Sequence, residues 1–346
     1  MSEYNLFVTY TGSKSPFLNE IYSCFANNCK KYVEPYVGGG GVYFGMSNSR
    51  YEEEWLNEWY KPLYTLYQSL IDENTRAMTM EAILNIDKND DDKIGSKRFE
   101  EAKKRMEKGI CLEQASIEER VNYAADVYRA YSQSRDCSVN RGYKKSAYKN
   151  EELYKKEVRR NVRNAVERLE TQPKITNMDG LEVIRECASD ENVQLMLDPP
   201  YIGMYRISSS LYLKEMPGLA EHIKIVEALK NAKAAVVLCG YRSQIDGVPT
   251  IYDTLGDDWK CFKLTDDNCQ IAKNGRAKYQ DKEFIWVRRV SEYAKYRLSM
   301  TDYKENITME EYWEKIRVAI NSNIMPEKHV DEYMKTYMQI YNRRLL

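Results

Sequence analysis

A carboxylate and two prolines end one apolar segment of the chain. Residues 193–197, VQLML, have the character of a buried β-strand, and Asp198, Pro199, Pro200 and Tyr201 follow them. The prolines restrict the backbone, so the Asp198 carboxylate and the nearby carbonyls become fixed acceptors beside the Tyr201 ring. Such acceptors beside an aromatic plane suit a flat ligand with an amino group, such as a nucleobase. The plainer alternative is a rigid turn that only ends the strand.

Four glycines, Gly38 to Gly41, lie between KYVEPYV (31–37) and VYFGM (42–46). A strand, a glycine turn and a helix open a nucleotide-binding α/β unit, so we expect a strand at 31–37 and a helix beginning at VYFGM. Glycine allows close approach of a ligand to the backbone, although a tight turn alone favours the same residues. The fingerprint GxGxxG is not met, because position 43 is tyrosine, which argues against a simple NAD site.

Two further acids have spacings that suit a nucleotide ligand. Glu58 follows the glycine turn by about 20 residues, the offset at which an acid at the end of the second strand bonds ribose hydroxyls. Asp179, in ITNMDGLEVI, lies between a short apolar stretch and a helical segment. The alternatives are a solvated acid at a helix start for Glu58 and a helix N-cap for Asp179.

The elements that must position these residues alternate between strand and helix. The pattern predicts a helix at 59–70, with Leu63, Leu66, Tyr67 and Leu70 on one face. Further predicted elements are core strands at 193–197, 234–240 and 282–290, a helix at 217–233, and C-terminal helices at 308–321 and 328–345. Such alternation indicates an α/β fold with a largely parallel sheet and helices on both faces. Residues 75–170 contain charged helical segments around a polar loop (131–150), which indicates a helical insertion.

Composition excludes several classes of protein. The 346 residues carry a net charge of −1, so overall charge does not indicate a nucleic-acid partner. The eight cysteines form no CxxC pair and there are only two histidines, so we expect reduced thiols and no metal site. No uncharged apolar run is long enough to cross a membrane, and the N-terminus has no signal pattern. We therefore expect a soluble intracellular protein.

Taken in order, these motifs resemble the Dam-type (alpha-group) N6-adenine DNA methyltransferases. The matching segments are TYTGSKSPFLNEI (9–21), VEPYVGGGGVYFGM (33–46), LNEWYKPLYTLYQSL (56–70), NMDGLEVI (177–184), DPPY (198–201), HIKIVEALKNAKAAVVLCGY (222–241) and KEFIWVRRV (282–290). Several ordered motifs are far more specific than any one of them. The chain departs from the family pattern at Glu58, where Asp is usual, at Tyr60, where Asn is usual, and at Gly180, where an aromatic residue is common.

The resemblance implies a Rossmann-like sheet and S-adenosylmethionine as the methyl donor. It implies a catalytic domain formed by 1–72 and 172–292, a helical target-recognition insertion at 73–171, and a C-terminal helical extension at 293–346. Asp198, Pro199, Pro200 and Tyr201 are the implied catalytic residues, and Tyr201 would stack on the target base. The implied cofactor-binding residues are Tyr10, Lys14, Glu34, Pro35, Tyr36, Gly38, Gly40, Glu58, Asp179 and Asp198.

Double-stranded DNA is the implied partner, and the insertion is where we expect it to bind. Residues 141–164 carry nine lysines and arginines against three glutamates, which suits phosphates, although a solvated helix face has the same composition. The candidate DNA contacts are Arg135, Asn140, Arg141, Lys144, Lys145 and Lys149. No segment reproduces the recognition hairpin of Dam itself, so GATC specificity is not predicted.

We expect a monomer without metal or membrane attachment, in the cytoplasm of a bacterial cell and encoded by the bacterium or a phage. Three alternatives stay open at this point. The first is methylation of cytosine N4, which Asp198 disfavours because that group often has Ser there. The others are methylation of adenine in RNA, and a catalytically inactive DNA-binding module of the same fold.

Overall fold

The computed structural model describes residues 7–46, 50–87, 92–144, 151–203, 218–243, 245, 247–264, 283–289 and 302–345. Its strands are β1 (Lys31–Glu34), β2 (Glu53–Asn57), β3 (Lys174–Thr176), β4 (Val193–Leu197), β5 (Ala235–Tyr241), β6 (Trp259–Lys263) and β7 (Glu283–Arg288). Its helices are α1 (Leu18–Ser23), α2 (Lys61–Ile71), α3 (Glu73–Leu84), α4 (Asp92–Lys108), α5 (Ile117–Ser132), α6 (Glu151–Leu169), α7 (Gly180–Cys187), α8 (Gly218–Leu229), α9 (Met309–Asn321) and α10 (Glu327–Tyr341).

The strands form one sheet in the order β3-β2-β1-β4-β5-β7-β6. The pairs β2–β3, β1–β4 and β4–β5 are parallel, and β7 runs antiparallel to both β5 and β6. All five residues of β4 are buried, as expected for a strand inside a parallel sheet. This mixed sheet with its helices confirms the expected Rossmann-like α/β fold. The strands expected at 193–197, 234–240 and 282–290 are present, whereas the sequence did not indicate β3 and β6.

The chain divides into two compact units. The first unit comprises the described residues among 7–18 and 34–180, and the second comprises the described residues among 19–33, 181–203 and 218–345. Helices α3 to α6 of the first unit account for most of the region in which the sequence predicts a helical insertion. Between α5 and α6, an isolated antiparallel bridge joins Ser134 and Tyr143.

Helix α2 follows the residues that its periodicity predicts. Leu63, Leu66, Tyr67 and Leu70 are all fully buried, which confirms the expected apolar face. Pro62 lies in the first turn, where its missing N–H costs no helical hydrogen bond. The helix therefore packs firmly and provides a fixed support for the loop that precedes it.

Two expectations for residues 31–46 need correction. Strand β1 ends at Glu34 rather than at 37, because Pro35 cannot donate to a strand ladder. Residues 42–46 form turns, not a regular helix. Contacts with residues distant in sequence explain why no helix forms here. The Tyr43 hydroxyl donates to Glu54 Oε2 over 2.9 Å, and the Arg168 guanidinium lies 4.1 Å from the centre of the Tyr43 ring. These contacts with β2 and α6 hold Tyr43 in place of a helical ladder.

The predicted C-terminal helices are present as α9 and α10 in the second unit. Glu332 of α10 accepts a hydrogen bond from the backbone N–H of Leu219 over 3.0 Å, at the first turn of α8. That turn has backbone N–H groups without helical partners, so the carboxylate acts as a cap. Residues 302–345 thus contribute to the second unit by covering α8.

Candidate active site

The DPPY segment begins directly after β4 in the second unit. Because β4 runs parallel to β1 and β5, the segment leaves the sheet at the edge where ligands of open α/β sheets bind. Asp198 and Pro200 are half-buried, and Pro199 is buried. No peptide bond in the described chain is cis. Asp198 therefore remains partly accessible at the start of a segment whose backbone the two prolines restrict.

Tyr201 is buried and has two aromatic and polar neighbours in the same unit. Its hydroxyl donates to Glu283 Oε2 over 2.7 Å, and its ring meets the edge of Tyr241 with 4.5 Å between centroids. Burial, followed by the Asp198 and Glu283 carboxylates, raises the pKa of Tyr201 well above its usual value. The phenol therefore stays neutral and acts as a donor. Sequence reasoning missed Glu283, because only the folded sheet brings the start of β7 to this site.

The glycine turn in the first unit has a defined geometry. Gly38 and Gly40 have positive φ values of 51° and 69°, which glycine adopts at low cost. The Gly40 N–H donates to the Val37 carbonyl over 2.7 Å, and the Tyr67 hydroxyl donates to the Gly38 carbonyl over 2.5 Å. A Cβ atom on Gly39 would lie 2.5 Å from Tyr10 Cβ. The run of glycines is thus required by close packing of this turn.

Glu58 lies at the end of β2, as expected, and its side chain is hydrogen-bonded to the glycine turn. Its side chain accepts two backbone hydrogen bonds, from the Gly38 N–H at Oε2 over 2.8 Å and from the Tyr60 N–H at Oε1 over 2.7 Å. Desolvation by burial raises the pKa of Glu58 from 4.5 to about 7, and these two hydrogen bonds oppose the rise. Each carboxylate oxygen has a second lone pair, so Glu58 can still accept from a ligand.

Asn57 connects the segments that carry the other candidate cofactor residues. Its side-chain amide donates to the carbonyls of Pro35 and Met178, both over 3.0 Å. Its carbonyl oxygen accepts from the Met178 N–H over 2.9 Å and from the Thr176 hydroxyl over 2.8 Å. The amide therefore uses its full hydrogen-bonding capacity in a fully buried position. It fixes Pro35 and the residue before Asp179 in one arrangement.

Gly180, one of the departures from the family pattern, packs closely against the ring of Tyr36. A Cβ atom on Gly180 would lie 2.4 Å from Tyr36 Cε1. The Tyr36 ring therefore occupies the space into which a side chain at position 180 would extend. Asp179 itself is exposed. The departure at position 180 is thus matched by an aromatic ring from the segment that precedes the glycine turn.

Lys14 and Glu34 are both buried within the first unit. Lys14 Nζ donates to the Gly12 carbonyl over 2.7 Å, in the turn that follows Tyr10. Glu34 is the last residue of β1 and is almost wholly inaccessible to solvent. Both therefore belong to the interior around the glycine turn. A role for either in binding requires a ligand that reaches this interior.

Trp59 is an exposed aromatic residue next to Glu58 that sequence reasoning did not single out. Its side chain is 49% exposed, whereas the other four tryptophans are 4% exposed or less. The Asn177 side chain donates to the backbone carbonyls of Glu58 and Trp59 over 2.6 and 2.8 Å. The backbone beneath this indole is therefore fixed. An exposed ring beside a carboxylate can stack on a flat ligand.

The polar loop of the insertion forms a short hairpin-like structure, which we term the reading loop (residues 133–144). Its two ends are joined by hydrogen bonds from the Arg135 N–H to the Gly142 carbonyl and from the Lys144 N–H to the Gln133 carbonyl, both over 2.8 Å. The DNA-contact candidates Arg135, Asn140, Arg141 and Lys144 are all exposed. Lys145 and Lys149 lie outside the described residues.

Helix α6, which follows the reading loop in sequence, carries an exposed stripe of basic side chains. Lys156, Arg159 and Arg163 are exposed, and their spacing places them on one face of the helix. Lys155 and Arg160 instead pair with Glu151 and Glu157 of the same helix. The charge that the sequence predicted for this region is therefore only partly available to a ligand.

The motif residues follow β4 in the second unit, and in the first unit they occupy the glycine turn and the end of β2. A family model for the D12 class N6 adenine-specific DNA methyltransferases matches residues 10–247. The chain belongs to this family, and it is a DNA methyltransferase that acts on adenine N6. A search of curated proteins found no match. The family match favours adenine N6 in DNA over the cytosine, RNA and inactive-module alternatives.

Two features are absent from the described part of the chain. Within it, no group of three or more His, Cys, Asp or Glu side chains could hold a metal ion. No described helix is long and apolar enough to cross a membrane.

Proposed function

We propose that the enzyme methylates N6 of an adenine that has left the stack of double-stranded DNA, with S-adenosylmethionine as donor. When bound, this donor supplies an electrophilic methyl group on a sulfonium. The observation that carries the proposal is the half-buried Asp198 on the rigid segment after β4. The N6 lone pair of adenine is delocalised into the ring, so the nitrogen is a poor nucleophile. The chain must therefore make this nitrogen more reactive.

Asp198 and the Pro199 carbonyl are the groups proposed to do so. Each accepts one proton of the N6 amine in a hydrogen bond, which favours a pyramidal nitrogen with a localised lone pair. As the nitrogen gains positive charge, both bonds strengthen, so they stabilise the transition state more than the ground state. The proton released after transfer passes to Asp198 or to solvent. Tyr201 is proposed to lie against the base, held by Glu283 and Tyr241.

The residues around the glycine turn suit the chemistry of the proposed cofactor. Glu58 offers free lone pairs to ribose hydroxyls, and the exposed Asp179 can accept from the adenine amine. Tyr10, Lys14, Glu34, Pro35, Tyr36, Gly38, Gly40 and Asp198 complete the proposed cofactor set. We add Trp59 as a stacking surface, because its indole is exposed and its backbone is held by Asn177.

Methyl transfer from labelled S-adenosylmethionine to unmethylated genomic DNA tests this proposal, with separation of the product nucleosides. We expect N6-methyladenine from the wild type and a loss of at least about a thousandfold in Asp198→Ala. Glu186→Ala, which removes an exposed acid of α7, serves as the matched control and should keep the wild-type rate. Near-normal activity of Asp198→Ala would overturn the mechanism. N4-methylcytosine, or transfer only to RNA, would overturn the substrate.

The reading loop and the basic stripe of α6 are proposed to bind DNA. Phosphate contacts make affinity fall with salt, with a slope of about 0.9 per phosphate neutralised. We therefore expect Lys156→Ala and Arg159→Ala to weaken binding to any duplex and to reduce this slope by about one each. Asn140→Ala should instead reduce discrimination between the methylated sequence and a scrambled duplex. Glu152→Ala, on the same helix, is the control that should not weaken binding.

The boundaries 1–72 and 172–292 for catalysis, 73–171 for target recognition and 293–346 for the extension are proposed as functional divisions. We also propose a monomer that acts in the cytoplasm, where its DNA substrate would lie. Sedimentation of the protein with and without a duplex tests the monomer, and a dimer at micromolar concentration would overturn it.

A further inference from the structure

Two threonines tie the reading loop to the N-terminal motif. The Thr11 hydroxyl donates to the Cys137 carbonyl over 2.9 Å, and the Thr9 hydroxyl donates to the Tyr131 carbonyl over 2.7 Å. These pairs are 126 and 122 residues apart in sequence. Thr11 is buried and Cys137 is exposed, so the bond attaches an exposed part of the loop to a buried side chain. The bonds fix the C-terminal end of α5 and the centre of the loop to residues 9–11.

The loop has an unfavourable backbone conformation at the point where Thr11 attaches. Cys137 has a φ of 58°, in the left-handed region that residues with a Cβ rarely adopt. Such a conformation persists when surrounding contacts determine it, and it recurs at functional sites. Cys137 lies between the exposed Arg135 and Asn140. Its conformation therefore sets the direction in which both candidate DNA-reading side chains leave the backbone.

The same N-terminal segment packs against the glycine turn. The rings of Tyr10 and Tyr131 stack with 5.8 Å between centroids. Tyr10 also leaves no room for a Cβ on Gly39. One short segment therefore contacts both the reading loop and the turn proposed to hold the cofactor.

We propose that Thr11 is a positioning residue for target-sequence discrimination, which acts by holding Cys137 in its left-handed conformation. This inference rests on the proposed role of the reading loop in binding DNA. Without the Thr11 hydroxyl, Cys137 relaxes toward negative φ, and Arg135 and Asn140 leave the arrangement that reads the target. Discrimination then falls, while binding of the cofactor does not.

Thr11→Val keeps the shape of the side chain and removes the hydrogen bond, and Thr11→Ser restores the hydroxyl. A side chain–backbone hydrogen bond contributes a factor of about three to ten in equilibrium constant. For Thr11→Val we expect kcat/KM to fall by about that factor on a duplex with the sequence that the enzyme methylates in genomic DNA. The loss should lie in KM for DNA. A scrambled duplex and the Kd of S-adenosylhomocysteine should change less than twofold, and Thr11→Ser should match the wild type.

Position 137 provides the decisive control, because glycine adopts positive φ at low cost and alanine does not. In the Thr11→Val background, Cys137→Gly should recover at least half of the lost discrimination, whereas Cys137→Ala should recover none. Equal behaviour of these two double variants would overturn the proposal, as would unchanged discrimination in Thr11→Val.

Hydrogen exchange of residues 133–144, measured without DNA, tests the position of the loop independently of its proposed role in DNA reading. Thr11→Val should speed exchange of the Ser138 and Arg141 amides severalfold, and Cys137→Gly should slow it again. If exchange responds in this way but the wild type shows no preference for any duplex, the loop is positioned as inferred and the proposed role in DNA reading fails. If exchange does not respond, the positioning itself is wrong.

Discussion

Glu58→Gln removes an acid beside the glycine turn whose ionisation opposes folding. Burial raises the pKa of Glu58 from 4.5 to about 7, and each pKa unit corresponds to about 1.4 kcal/mol. The folded protein therefore holds this proton more tightly than the unfolded chain does, by roughly 3 kcal/mol. The stabilising contribution is complete below pH 4.5 and is lost as the pH rises through 7. Glutamine cannot titrate, so the variant lacks this pH dependence.

Urea unfolding of the wild type and of Glu58→Gln between about pH 5 and about pH 8 measures the effect. The difference in free energy of unfolding should shrink by about 2.5 kcal/mol across this range, with the wild type favoured at the acidic end. The glutamine also directs an N–H donor at the backbone N–H of Gly38 or Tyr60. That mismatch lowers stability at every pH by about 1–3 kcal/mol.

Glu53→Gln is the matched control, because Glu53 lies on the same strand and is exposed. The loss of stability with rising pH that is assigned to Glu58 should persist in Glu53→Gln, because Glu58 is retained. A pH-independent difference for Glu58→Gln, or the same slope in both variants, would refute the raised pKa. If Glu58 also accepts from ribose hydroxyls, S-adenosylhomocysteine should favour the ionised form and release a proton near pH 7. Calorimetry in buffers of different ionisation enthalpy detects that proton, which Glu58→Gln should not release.

Three further variants test the contacts around the two motifs. Asn57→Asp replaces two amide donors to buried carbonyls with an acid, and should lower the free energy of unfolding in urea by roughly 2–5 kcal/mol. Tyr201→Phe leaves the buried Glu283 without its phenol donor and should cost about 1–3 kcal/mol in the same assay, part of which Glu283→Gln should restore. Gly180→Ala places a methyl group against the Tyr36 ring and should weaken binding of S-adenosylhomocysteine about tenfold, as measured by titration calorimetry.

Specific results would contradict each of these expectations. A stable Asn57→Asp variant would mean that the four hydrogen bonds of this amide do not hold the two cofactor segments. Additive losses in the Tyr201→Phe/Glu283→Gln double variant would mean that the two side chains are not coupled. Unchanged affinity in Gly180→Ala would mean that the Tyr36 ring can move away without effect on the site.

Iodide quenching offers a simple assay for cofactor binding, because only one of the five tryptophans is substantially exposed. Quenching of wild-type fluorescence should therefore come mainly from Trp59. Saturation with S-adenosylhomocysteine should protect that fraction, and Trp59→Phe should remove it. Unprotected quenching at saturation would exclude Trp59 as a stacking surface.

Local pattern in the sequence determined the elements and the chemistry of the motifs. The 3.6-residue period placed Leu63, Leu66, Tyr67 and Leu70 on one buried face, and an unbroken apolar run identified β4. The order of the motifs indicated the methyltransferase family, which the match over residues 10–247 bears out. These features depend on neighbours within about one helical turn or one strand, so a single segment is sufficient to predict them.

Only the tertiary structure decided which residues support those motifs. The turns at 42–46 replace an expected helix because Tyr43 bonds to Glu54 and lies against Arg168. Glu283 meets Tyr201 from 82 residues away, Asn57 meets Met178 from 121, and Thr11 meets Cys137 from 126. No local propensity encodes such pairs, because each is selected by the packing of elements that are remote in sequence. The family could therefore be predicted from the motifs, while the residues that pack and bond against those motifs emerged only from the fold.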